Sequence, residues 1–296
     1  MTTRFKIVIA VSVLFVMAGI GEAMATLHQE DMQYGVGDSW EFRRTDESGM
    51  VMVFSVEVTG EDKIQIEGDE YEVFVARGSG YIEEIGNLGD FSLVGGSSSV
   101  EVTFYNAKDY AEGARKTVFE MSFQLQDTNG GTVYQYQGHS ETTDKIMSGA
   151  RPEVVSEGTT WSLTIHENET ETTIFSGGNF GEGEPETTND ENTYTTNYEC
   201  LGTKSVTVSA GTFETYEIKE TTLGEQGNYT LSYLSENVKR EVKSVDYNAN
   251  DQILSIMELL SYDVAKVESE ATPGFGFLLA VSALMALLVL MNKQRC

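Results

Sequence analysis

Alternation of apolar and polar residues at period two constrains this chain more than any other feature. It runs through Met50–Val58 (MVMVFSVEV), Lys63–Ile66, Tyr71–Val75, Val118–Leu125 (VFEMSFQL), Ser205–Val208 and Tyr229–Leu234. Successive side chains of an extended strand point to opposite faces, so this pattern, rich in Val, Thr, Tyr and Phe, predicts half-buried antiparallel β-strands. Glycine-bearing polar breaks at Gly86–Ser99 and Gly177–Thr193 are expected to be loops. Only Asn106–Lys116 has helical character, with Glu112 four residues before Lys116, and Gly113 limits it. Prolines stand only at 152, 185 and 273, which leaves long strands uninterrupted.

A repeat divides the β-rich region. Gly37-x-x-Trp40 recurs as Gly158-x-x-Trp161, and Gly60–Arg77 aligns without gaps on Gly202–Lys219, pairing Ile64 with Val206, Tyr71 with Phe213 and Phe74 with Tyr216. Arg115–Val118 matches Lys239–Val242. Two related antiparallel β-units, 26–150 and 151–265, account for these anchors, with the acidic Gly177–Thr193 stretch as a loop insertion in the second. A linker, 266–272, follows.

The two ends differ in kind from the middle. Arg4 and Lys6 precede an apolar run from Ile7 to Ile20 and the small-residue triplet ending at Ala25. That is the layout of a secretory signal peptide over residues 1–25, cleaved by signal peptidase after Ala25. At the other end, Pro273-Gly274-Phe275 opens a charge-free stretch to Met291, followed by Lys293 and Arg295. As a helix, Phe275–Met291 would be about 26 Å long, enough for a bilayer core. The basic tail then lies in the cytosol, and the β-units lie outside the membrane.

The order Thr272-Pro273-Gly274-Phe275, apolar span and basic tail resembles the tripartite PGF C-terminal sorting signal (PGF-CTERM type) of archaeal exported surface proteins. The resemblance implies an archaeosortase-type transpeptidase as a partner. This membrane-embedded enzyme would cut near Pro273, Gly274 and Phe275 and leave a lipid-anchored protein on the outer face of the cytoplasmic membrane.

Charge supports an exported setting. The chain carries 47 acidic and 19 basic side chains. A surface this acidic repels phosphate, so nucleic acid is excluded as a partner. Diffuse carboxylates suit a saline habitat, where they are screened within about 8 Å. Calcium held between neighbouring surface molecules is the functional alternative. Asn168-Glu169-Thr170 and Asn228-Tyr229-Thr230 have the form of glycosylation acceptors, expected to make a glycoprotein.

The second copy, through Val206–Tyr216, Tyr233-Leu234-Ser235 and Lys239-Arg240-Glu241, weakly resembles exported domains of the lipoprotein-carrier type. That likeness implies a curled sheet or half-barrel whose concave apolar face shelters lipid or binds a partner.

Motifs for chemistry are sparse. His28, His139 and His166 have no histidine or cysteine at metal-ligand spacing, no Gly-x-Ser-x-Gly elbow occurs, and Gly35-Val36-Gly37 lacks the third glycine of a dinucleotide loop. Cys200, beside Glu199, reads as a buried small hydrophobe. Asp246, Asn248 and Asn250 sit at positions one, three and five of a calcium-like loop, but Asp251 replaces the turn glycine and Met257 the bidentate acid. A hairpin turn is the simpler reading. Trp40 and Trp161 are read as core plugs of an opening strand rather than a carbohydrate platform.

The expectation is a mainly β, non-enzymatic, membrane-anchored cell-surface protein with a C-terminal transmembrane helix. It needs no cofactor, and its partners are the membrane, its processing enzymes and other envelope proteins. The alternative is a half-barrel carrier of a lipid or other apolar ligand.

Overall fold

A computed structural model describes residues 34–86, 91–108, 113–127, 131–177, 183–224 and 227–265. The signal-peptide segment with Ala25, and the C-terminal segment with Pro273, Gly274, Phe275 and the expected transmembrane helix, lie outside the described residues.

All regular structure among the described residues is β, in strands β1 (Ser39–Asp46), β2 (Met50–Ile66), β3 (Asp69–Ile85), β4 (Phe91–Leu93), β5 (Ser99–Ala107), β6 (Arg115–Asp127), β7 (Val133–Gly149), β8 (Thr160–Gly177), β9 (Glu186–Val208), β10 (Gly211–Thr222), β11 (Tyr229–Ser235), β12 (Arg240–Tyr247) and β13 (Ile253–Asp263). Each alternating segment named above lies within a strand. Neighbours in sequence pair antiparallel around a ring, with β3 followed by β5 and β13 returning to β1, while the short β4 pairs with β6 beyond the end of β5. Twelve strands thus close a barrel.

Three expectations are corrected. An open curled sheet or half-barrel was expected, but the sheet closes: β7 pairs with β8 over 134–149 and β1 pairs with β13 over its whole length, which removes both seam edges. The described residues of both halves fall in one compact unit that ends at Ala265. The helical reading of Asn106–Lys116 is corrected at its ends, where Asn106 pairs with Arg115 in adjacent strands and Gly113 takes φ +55°, while 109–112 lie outside the described residues. Finally, Glu186–Thr193 is strand rather than loop, paired with β8 from Thr173↔Glu186 to His166↔Thr193. Hydroxyls hold that pairing on one face, Thr172 to Thr187 at 3.0 Å and Thr170 to Asn189 at 2.9 Å.

Two of the three sequence anchors occupy matching places, whereas Arg115 opens β6 and Lys239 lies in the turn before β12. Gly37 N–H donates to the Val58 carbonyl and Val58 N–H to that of Asp38; Gly158 N–H donates to Cys200 and Cys200 N–H to Thr159 in the same way. Both glycines have positive φ, +96° and +81°, which a side chain would strain. A bulge follows Val58 opposite Ala76, and another follows Cys200 opposite Ile218. Two-residue turns then join Ile66 to Asp69 and Val208 to Gly211.

Inside the barrel the main core contains Trp40, Phe42, Phe54, Phe104, Phe119 and Phe123 with Met52, Met121, Leu125, Met257 and Leu259. Phe42 stacks on Phe54 with centroids 5.5 Å apart, and Phe123 on Tyr136 at 4.8 Å. A smaller core, Leu163, Ile165, Tyr198, Cys200, Ile218 and Leu234, lines the start of the second half.

Candidate functional site

Antiparallel connectivity gives the barrel two ends. One carries the chain start before β1, the 66–69 and 208–211 turns, the β11–β12 turn and the chain exit after β13. The other carries the β8–β9 connection, the β10–β11 turn and the β12–β13 turn.

At the first end Asp38, 1% exposed, gathers three donors. Gly35 N–H and Lys239 Nζ donate to Oδ2 at 2.7 and 2.9 Å, and Ala265 N–H donates to Oδ1 at 2.7 Å. The β11–β12 turn, with Lys239 at φ +61°, and the C-terminal exit are thereby fastened to the start of β1. Trp40 Nε1–H donates to the Val238 carbonyl at 2.8 Å in the same turn. Beside it the Arg240 guanidinium lies over Phe42 and Trp40, 4.4 and 5.0 Å from the ring centroids. Burial lowers its pKa, and burial pushes the Tyr34 phenol up to about 12, against the opposing pull of Arg240.

Toward the other end the wall changes character. From residue 152 to 203 there is no Lys or Arg, whereas eleven Asp and Glu occur. On one face of β7 and β8 lie Ser140, Asp144, Glu169 and Glu171, and Asp190 on β9 stands opposite Glu169. Asp144 pairs with Arg115, and Ser140 Oγ donates to Glu169 at 3.1 Å. Burial raises the pKa of Glu169, aided by Asp190 and Asp144, and burial also raises that of Glu171, aided by Glu169 and Asp190. Tyr136 belongs to the same wall. Its hydroxyl lies 2.8 Å from where a Cβ on Gly138 would stand, so only glycine fits there, and burial followed by the Glu171 charge raises its pKa. A carboxyl whose pKa is raised takes up a proton more readily than an exposed one, and a protonated carboxyl can donate as well as accept.

The opposite face of β7–β8 bears a charged clip. His166 Nδ1 meets Glu67 in the β2–β3 turn, its Nε2 lies 3.2 Å from Glu191, and Lys145 Nζ donates to Asp69 at 2.7 Å. The hydrogen bond with Glu67, more than that with Glu191, raises the His166 pKa against desolvation. Sequence spacing gave no sign of this cluster, because Glu67 and His166 are 99 residues apart.

The residues singled out by sequence are placed as follows. Asp246 accepts from Arg44 Nη2 at 3.2 Å, from Thr230 Oγ1 at 2.8 Å and from Ser255 Oγ. Asn248 Oδ1 accepts the N–H groups of Asn250 and Gln252 at 2.9 and 3.1 Å, in a turn between β12 and β13. The structure therefore spends these oxygens internally, and among the described residues no group of three or more His, Cys, Asp or Glu is arranged for a metal. Asn168 is mid-strand in β8 with Nδ2 donating to Glu67 at 3.4 Å, whereas Asn228 lies in the turn before β11. Trp40 is buried in the core, and Trp161 is stacked parallel on Tyr198 at 5.0 Å. Cys200 is fully buried, and burial raises its thiol pKa. Separately, a shallow depression of about 330 Å³ lies over β5–β8, edged by Glu101, Glu120, Gln137 and His139.

No family model matches the chain, and no curated protein matches its sequence. Two solved structures are similar in part. One, described as exported and as having a YmcC-like fold, is from Bacteroides fragilis NCTC 9343, with 12% identity and a TM-score of 0.36. The other, described as a lipoprotein, is from Parabacteroides distasonis ATCC 8503, with 12% identity and a TM-score of 0.32. Each overlap covers 81% of this chain and 99% of the other. At such scores the architecture stands on this chain's own strand pairing.

Proposed function

We propose that the chain is a non-enzymatic surface module, exported through its signal peptide and held on the outer face of the cytoplasmic membrane by its C-terminal segment. The observation that carries the reading is the Asp38 junction. Ala265 is hydrogen-bonded beside the start of β1, so the segments preceding β1 and following β13 leave the barrel at one end. The Asn228 acceptor lies at the opposite end of the barrel, in the turn before β11. Asn228 in a turn is the better acceptor, since the Asn168 amide is already engaged by Glu67. The C-terminal segment serves as a PGF-type signal for an archaeosortase-type transpeptidase, which releases the span and leaves a lipid near residue 273. The carrier alternative is less supported, because aromatic side chains fill the first half and carboxylates line the wall of the second.

Labelling of intact native cells with a membrane-impermeant maleimide tests the anchoring. Asn250→Cys and Ser156→Cys proteins should both react, while Cys200 stays silent. Reaction only after lysis would overturn the reading. Mass spectrometry of the mature protein should find lipid near residue 273 and no peptide from 276–295, and a Pro273→Ala, Phe275→Ala variant should keep its tail.

A further inference from the structure

The second half of the barrel has a sheet edge that the ring does not close. β10 pairs with β9 only from Val208 back to Thr196, but β9 continues on the β8 side to Glu186. Residues 187–193 are therefore paired with β8 alone among the described residues, and every one of them is exposed. A strand edge presents N–H and C=O groups to whatever approaches, and proteins commonly blunt such edges with proline, a bulge or charged side chains, lysine above all; here the only charges, Asp190 and Glu191, are acidic. This stretch, Thr-Thr-Asn-Asp-Glu-Asn-Thr, has no proline and no lysine, and its register with β8 is unbroken from 186 to 199. Three threonines favour extended backbone.

What distinguishes this edge is its charge. Asp190 lies on it, and Glu169 and Glu171 lie on the adjacent strand, in register with Asp190 and Thr188. Side chains at 188, 190 and 192 share the face of those carboxylates, because strand side chains alternate. The nearest basic residues in sequence are Arg151 and Lys204. A second copy docking antiparallel about Asp190 would set that carboxylate against its own image, and like charges directly opposed are destabilising.

We propose that residues 187–193 form a docking edge for an extended segment of another envelope protein, one that carries Lys or Arg at alternate positions. Main-chain bonds would add a strand to β9, and alternate cations would meet Asp190, Glu169 and Glu171 on a single face. This rests on the reading of the chain as a surface module. Binding is measured on purified protein, so its failure leaves the anchoring result untouched.

Full-length protein in detergent is titrated at low salt with three seven-residue peptides: alternating Lys and Thr, the same residues in two blocks, and alternating Glu and Thr. The alternating Lys peptide should bind about tenfold more tightly than the block peptide and slow amide exchange within 187–193. Asp190→Lys, at an exposed position, should weaken the Lys peptide about tenfold and strengthen the Glu peptide. Equal binding of the block peptide, protection appearing elsewhere, or indifference to Asp190→Lys would each overturn the proposal. So would a wild-type dimer whose contact protects 187–193.

Discussion

The hairpins β1–β2 and β8–β9 start from the same hydrogen-bonded frame and are filled differently. Gly37 and Gly158 turn alike, Val58 and Cys200 precede matching bulges, and Trp40 and Trp161 open the strands. Moving out along the strand, Val56, Phe54 and Met52 in the first correspond to Tyr198, Thr196 and Tyr194 in the second, at a constant offset. The first series is buried throughout among aromatic neighbours, while the second leads to the carboxylates of β8. The backbone pairing of a strand therefore tolerates either a packed or a polar wall. The apolar wall buries its side chains in the main core, whereas the polar one sets carboxylates along its strands.

The largest expected effect tests that division directly. Phe54→Ala removes a buried ring stacked on Phe42 and should cost about 3–5 kcal/mol. Thr196→Ala, at the matching place, loses one hydroxyl contact to Thr222 and should cost about 1 kcal/mol. Urea midpoints at unchanged slope would measure both, and equal losses would show that the two walls carry the same load.

Next in size is the contrast between Asp38 and Thr159, which sit at matching places one residue after Gly37 and Gly158. Asp38 neutralises buried Lys239, whereas Thr159 Oγ1 accepts the Ser156 N–H at 3.0 Å and lies 3.2 Å from the Ser156 hydroxyl. Asp38→Asn should cost about 2–3 kcal/mol, because it leaves the ammonium buried without its counter-charge. Thr159→Ala should cost about 1 kcal/mol. If Asp38→Asn melts like the wild type, the junction does not secure the chain exit.

How far the sequence could be read follows the same division. Wherever one face is apolar and the other wet, as in β6 and the Phe54–Val58 stretch of β2, alternation identifies the strand. In β7, β8 and the first half of β9, Thr, Gln and Glu occupy both faces, so period two vanishes, and Glu186–Thr193 resembles an acidic loop. Hydroxyl pairs across the strands hold that segment extended, and composition does not encode such pairings. Closure of the ring was equally hidden, because β1 meets β13 across more than 200 residues and no local pattern specifies the seam. The Asn248 turn was legible, since Asn favours binding its own backbone. The buried acids and the His166 clip were not.

The polar wall should respond to acid in a direction the apolar wall cannot. The folded pKa of Glu171 is raised, so between the ordinary carboxylate value and the raised one the folded state holds more protons than the unfolded chain. Stability contributed by this group therefore falls as pH rises through that window. Glu171→Gln should gain on the order of 1 kcal/mol or less at neutral pH and nothing below the ordinary value. A gain independent of pH would assign the effect to packing.

The smallest effect concerns the clip on the other face, and it is read on one side chain. The His166 pKa is raised by Glu67 and, less strongly, by Glu191. A histidine whose folded pKa is raised contributes stability that is complete below its ordinary value and fades as pH rises through the folded one. Glu67→Gln should bring the His166 titration midpoint down in an NMR pH series. Glu191→Gln should lower it less, because that contact is the longer and its contribution the smaller. The β2–β3 turn should loosen from β8 in the same variant, seen as faster amide exchange at Gly68 and Asp69. A midpoint that moves equally in both variants would mean that the general acidity of this wall, rather than the turn carboxylate, raises the His166 pKa. The comparison between the two halves would then rest on charge density alone, since Glu67 belongs to the first half and reaches His166 in the second only through this contact.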